Sequence, residues 1–138
     1  MAPETRLFPN DVAQLRLISD WVRAYIDGTQ LPQELVHRVD LCLQETVANV
    51  MLHAYERGGP GNIAISLEKV GEGFHVTVAD NGPAFDPLEY PKLVPAAKLE
   101  DAKVGGFGIH LIRSFADVVE YRREADRNIL AMSFCGRR

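Results

Sequence analysis

Residues 32–55 constrain the fold more than any other stretch. Val36, Val39, Leu43, Val47, Val50 and Ala54 recur at three- and four-residue steps, the period of one helical face. Pro32 stands where a first helical turn tolerates proline. The stretch therefore reads as one long helix, from Pro32 to about Tyr55, that must lay an apolar stripe on a core. Its opposite stripe is polar. Within ETVANVMLH, Glu45, Asn49 and His53 fall one turn apart, because each helical residue advances about 100°. Leu41, Cys42, Ala48 and Leu52 crowd Glu45 closely. A carboxylate, an amide and an imidazole in such surroundings need partners or a cleft, since burying them unpaired is costly. A solvated polar edge, or polar groups satisfied internally, would account equally for this stripe taken alone.

The rest of the chain supplies what that helix packs on. Arg6-Leu7-Phe8 reads as a short strand ended by Pro9, and Asn10 or Asp11 caps a first helix. That helix has apolar positions Val12, Leu15, Ile18, Val22, Tyr25 and Ile26, and Gly28 closes it. RGGPG at 57–61 is a turn. Asn62–Val70 and Phe74–Ala79 are strands joined by Gly71-Glu72-Gly73 as a hairpin. A proline-rich stretch of about twenty residues follows Gly82; structureless segments that long are usually binding loops or lids. Gly105–Phe115 is a glycine turn running into a third helix. Val118–Arg123 and Ile129–Phe134 are closing strands around the turn Ala125-Asp126-Arg127-Asn128. The predicted class is α+β: a single domain over 1–138, a two-layer α/β sandwich with a mixed, mostly antiparallel sheet covered on one face by three helices.

Composition excludes several roles. A net charge of −4 argues against a nucleic-acid groove or an anionic membrane surface. The doublets Arg122–Arg123 and Arg137–Arg138 read as solvated surface. Cys42 and Cys135 have no metal-ligand spacing and read as reduced thiols. The opening MAPETRLF has no apolar h-region and no run approaches membrane-spanning length, so a cytoplasmic protein is expected.

Two further motifs join the polar helical stripe. DNGPAFDP at 80–87 follows a strand directly. Asp80 at the strand end can accept a hydrogen bond from the exocyclic amine of a base, and Gly82 lets a flat ring approach the backbone. An Asp-Asn-Gly turn is the plain alternative. In GGFGIHLI at 105–112, glycines open a helix, exposing backbone N–H groups and the positive end of the helix dipole, which suits phosphate. A hinge before a helix would look the same. The spacing is neither GxxxxGK[ST] nor GxGxxG, because Leu111 takes the last glycine's place.

Taken jointly and in order, the three motifs resemble those of the GHKL ATPase superfamily with its Bergerat fold. The nearest likeness is to bacterial anti-sigma-factor serine/threonine kinases. ETVANVMLHAY is similar to their N box, DNGPAFDP to their G1 box and GGFGIHLIRSFAD to their G2 box. The likeness runs from about Leu7 to Phe134. It implies ATP or ADP as the ligand with Mg²⁺, Asn49 as a magnesium ligand through its side-chain oxygen, and Glu45 as general base. It implies Asp80 as the adenine-reading aspartate with Gly82 beneath the ring. Gly105, Gly106, Phe107, Gly108 and Ile109 match the phosphate-facing turn. Pro83–Val104 matches an ATP lid with Lys98 and Lys103 as its nearer cations, and His53 matches a histidine near the nucleotide, with a structural role as the alternative. The partners implied are a STAS-domain anti-anti-sigma protein, a sigma factor and a second copy in a homodimer, with no nucleic acid and no membrane.

The chain departs from the pattern in three places. Ala84 replaces the second G1 glycine. The last strand lacks the threonine that many relatives place near adenine, leaving Ser133 as the candidate hydroxyl. The lid carries no arginine between Pro83 and Val104. The leading expectation is a kinase that phosphorylates the STAS antagonist and otherwise sequesters the sigma factor. A nucleotide-gated binding module with little kinase activity is the alternative. A detached histidine-kinase catalytic domain is disfavoured: no separate helix bears a phosphoacceptor histidine, and His37 shares the helix of Glu45.

Overall fold

Alternation along the strands decides which face meets the helices. Ile63, Ile65 and Leu67 are buried, as are Phe74, Val76 and Val78, and Leu130, Met132 and Phe134. These are every second residue of three strands and so share one face. The computed structural model describes residues 2–51, 61–89 and 108–135. Its elements are β1 (Glu4–Pro9), α1 (Gln14–Asp27), α2 (Gln33–Asn49), β2 (Asn62–Val70), β3 (Gly73–Asp80), a 3₁₀ turn (Pro87–Glu89), α3 (Gly108–Phe115), β4 (Val118–Glu124) and β5 (Arg127–Phe134).

The strands form one sheet in the order β1-β2-β3-β5-β4. Every described pairing is antiparallel, so the sheet is not mixed. The predicted α+β sandwich is otherwise what is found. Both hairpins have two-residue turns. Gly71 sits at φ 59° in the first, and a Cβ on the following Gly73 would lie 2.6 Å from the carbonyl oxygen of Phe134, so neither glycine is replaceable without strain. In the second, Ala125 and Asp126 take φ 51° and 64°. Arg127 and Asn128 therefore belong to β5, not to the turn assigned them from sequence.

The helices cover the apolar face. α1 contributes Ile18, Trp21, Val22, Tyr25 and Ile26 to the core, but Val12 lies outside it and is exposed. Asp11 Oδ1 accepts from the N–H of Ala13 at 3.0 Å just before the helix. Past Gly28, it is Gln30 that takes the left-handed conformation, at φ 66°. α2 lies between its neighbours. Gln44 Nε2 donates to the carbonyl of Leu15 near the start of α1 at 2.8 Å, and Arg38 donates to the carbonyls of Phe115 (3.1 Å) and Cys135 (2.6 Å) at the ends of α3 and β5. Beyond Asn49 the helix widens to a π-type turn through Val50 and Met51; its predicted continuation to Tyr55 lies outside the described residues.

Candidate functional site at the end of β3

Register makes the site. The paired row Phe8–Ile63–Asp80–Asn128–Arg123 crosses all five strands on the face that carries the core. Two apolar residues begin it and three polar ones end it. The next row, Ile65–Val78–Leu130–Tyr121, is apolar but for a phenol. A pocket opens over these rows, with Val78 and Leu130 as floor and Asn49 and Val50 of α2 on one wall. Phe85 and Pro87, just after β3, form another wall, and Asp80, Asn128 and Tyr121 supply the polar edge.

Asp80 is 3% exposed. Its Oδ1 accepts two bonds, from the Gly82 N–H at 2.9 Å and from Asn128 Nδ2 at 2.9 Å. Burial raises its pKa; these two hydrogen bonds and the charges of Arg123 and Arg127 pull the other way without cancelling the effect. Gly82 is buried, and its carbonyl accepts from Arg123 Nη1 at 2.8 Å.

Asn128 is the hub that sequence reading missed. It is 5% exposed. Nδ2 donates to Asp80 and to the carbonyl of Pro83 at 2.9 Å, while Oδ1 accepts from Tyr121 Oη (2.6 Å), the Phe85 N–H (3.0 Å) and Arg123 Nη1 (3.1 Å). Hairpin parity gives part of the signal: a two-residue turn at 125–126 places Asn128 opposite Arg123, while its place opposite Asp80 comes from the β3–β5 register, which no turn fixes. The Arg122–Arg123 doublet splits accordingly. Arg122 pairs with Glu124 on the surface at 3.4 Å, whereas Arg123 reaches the site. Ser133 does not stand in for the absent threonine. It pairs with His75 at the far end of the sheet, on the opposite face, and its hydroxyl bonds His75 Nδ1 at 3.0 Å.

Asn49 is 2% exposed, and its Oδ1 has no hydrogen-bond partner among the described residues. Such an atom costs about 1–3 kcal/mol unless something occupies it. Neighbouring Thr46 is satisfied by its own helix, donating to the carbonyl of Cys42 at 2.8 Å. A lone buried oxygen on a residue that lines the pocket fits a hard cation that takes few protein ligands, and no cluster of three or more His, Cys, Asp or Glu suited to a metal occurs among the described residues. Glu45, one turn before Asn49, is half-buried, and desolvation raises its pKa. It does not line the pocket. Cys42, three residues before Glu45, is fully buried; burial pushes its thiol up to about 12, which keeps it protonated. Gly108 and Ile109 open α3. His53, Lys98, Lys103, Gly105, Gly106 and Phe107 lie outside the described residues.

Comparison with known proteins gives this arrangement a family. The chain is 33% identical over 93 residues to the serine/threonine-protein kinase BtrW of Bordetella bronchiseptica, an alignment covering 67% of this chain and 66% of the relative. It is 28% identical over 102 residues to the serine-protein kinase RsbW of Halalkalibacterium halodurans, covering 71% and 61%. An anti-sigma F factor of Bacillus licheniformis matches at 24% identity over 96 residues, covering 70% of this chain and 66% of the relative. The chain thus spans somewhat less than two thirds of the curated relatives it matches. In fold it is similar to the solved RsbU and RsbW domains of a Mycobacterium tuberculosis protein, with a TM-score of 0.70 at 12% identity, covering 98% of this chain and 32% of that one. A blue-light activated histidine kinase of Erythrobacter litoralis aligns with a TM-score of 0.55 at 19% identity, covering 77% and 32%. The model of the histidine kinase-like ATPase domain matches residues 8–134, nearly the whole chain, and the chain belongs to that GHKL-type family.

Proposed function

We propose that the chain is an ATP-dependent serine/threonine kinase of the anti-sigma type, a single domain over 1–138. In this reading it phosphorylates a STAS-domain anti-anti-sigma protein and regulates a sigma factor by exchanging partners. The observation that carries the reading is one pocket holding both a buried carboxylate and an orphaned amide oxygen, Asp80 and Asn49. Asp80 Oδ2, left over by the two bonds on Oδ1, accepts from the exocyclic amine of adenine. Asn49 Oδ1 would hold Mg²⁺, which when bound would neutralise charge on the phosphate oxygens. The Gly105–Ile109 turn, Lys103 and His53 are assigned to the phosphates from the family pattern. Two free thiols suit a reducing compartment.

Glu45 is assigned the proton of the attacking hydroxyl. Desolvation raises the pKa of its carboxyl, the direction that makes a carboxylate a stronger base. The test is labelled ATP, a STAS-domain partner, and the variant Glu45→Gln, which keeps volume but takes no proton. ADP affinity should stay within about twofold of the parent and phosphorylation should fall by ~10²-fold or more. Parental phosphorylation by Glu45→Gln removes Glu45 as base. A parent that exchanges partners with ATP yet labels none of them is a nucleotide-gated binding module instead.

A further inference from the structure

Asn128 is saturated. Both its N–H bonds and its oxygen are used within the protein, and the amide has only one workable orientation. Turned over, it would set its oxygen against two acceptors and its nitrogen against three donors. The consequence falls on Asp80. A carboxylate oxygen has two in-plane lone pairs, and on Oδ1 the Gly82 N–H and Asn128 Nδ2 take both. One oxygen, Oδ2, is left to read a base.

Adenine and guanine differ in what they ask of a carboxylate. Adenine offers one donor on its pairing edge, the 6-amine, and one carboxylate oxygen satisfies it. Guanine offers two adjacent donors, N1–H and the 2-amine, which match both oxygens of a carboxylate in a paired, two-bond contact. With Oδ1 filled, the second bond cannot form and guanine must bury an unpaired donor. We propose that Asn128 makes this pocket selective for adenine over guanine nucleotides by occupying Oδ1 of Asp80. Asn128 is a positioning residue in this account, touching the carboxylate and not the base. The inference rests on the reading of Asp80 as the base-reading group.

Inosine diphosphate supplies the sharp control, since it is GDP without the 2-amine. Displacement of bound ADP by GDP and by IDP is measured on the parent and on Asn128→Ala, with ADP affinity taken by calorimetry and folding checked by thermal melting. In the parent, GDP should displace no better than IDP, because its extra donor has no acceptor. In Asn128→Ala, with one lone pair released, GDP should displace about tenfold better than IDP, the value of one added hydrogen bond to a charged group. A structural role alone would weaken all three nucleotides and leave the GDP/IDP ratio unchanged; that outcome, or a folded variant that binds no ADP, overturns the proposal. If Asn128→Ala does not fold, the parent decides: GDP tenfold better than IDP overturns the selectivity while ADP binding stands. A parent that binds none of the three overturns the nucleotide reading itself, and the selectivity with it.

Discussion

An unpaired acceptor inside a protein is an unstable arrangement, and Asn49 holds one. Among the described residues its Oδ1 lacks a partner, while neighbouring Thr46 is satisfied by its own helix. Asn49→Ala should therefore cost the domain less than truncating an apolar core residue, because no hydrogen bond of that oxygen is lost among the described residues. The same change should remove most of the magnesium dependence of nucleotide binding. Calorimetric titration of ADP with and without Mg²⁺ would check both: the parent should bind about tenfold or more tighter with the metal, and Asn49→Ala should bind almost equally in the two conditions. Equal magnesium dependence in parent and variant would leave the orphaned oxygen without this explanation. Asp80 and Asn49 were legible from sequence because each stands in a recognisable local pattern. Asn128 was not, since its importance comes from a partner 48 residues away.

At the scale of elements, most of the secondary structure could be read from period and punctuation. The alternating residues of β2 and β3 and the 3.6-residue stripe of α2 gave the right elements within a residue or two at most ends. The second hairpin was harder. Asn-Gly and Asp-Gly announce left-handed turns, whereas Ala-Asp does not, and the turn was read two residues too far along. Ala125 and Asp126 adopt positive φ because the strands on either side oblige them to. An L residue there costs roughly 1 kcal/mol, and Asn and Gly pay least. Replacing the pair by Asn-Gly should stabilise the protein by about 1 kcal/mol, raising the melting temperature by roughly 3 °C. A thermal melt that shows no rise would mean that the surroundings already offset the strain. Arg123 was likewise hidden, because a basic doublet on a strand sends alternate side chains to opposite faces.

For the whole molecule, the two carboxylates displaced by burial set a pH dependence. Asp80 and Glu45 both have raised pKa values in the folded protein. A raised carboxyl pKa means that the folded state holds the proton more tightly than the unfolded chain does. The stability linked to that proton is fully present below the unfolded pKa and is lost as pH rises through the folded one. At neutral pH each charged group therefore weighs against folding. Glu45→Gln should be more stable than the parent near neutrality, and the advantage should shrink as pH falls through the raised folded pKa and be gone below about 4. Urea unfolding at the two pH values would show it; an advantage that grows on acidification would reverse the sign assigned here. The sheet order has a consequence for synthesis as well. β5 is inserted between β3 and β4, so Asp80 meets its partner only in the last strand described. A nascent chain on the ribosome can complete α1, α2 and the first hairpin and still possess no finished base pocket. On the reading proposed above, nucleotide can reward only a chain whose β5 has emerged and docked, which makes the ligand a late guest in folding and not its template.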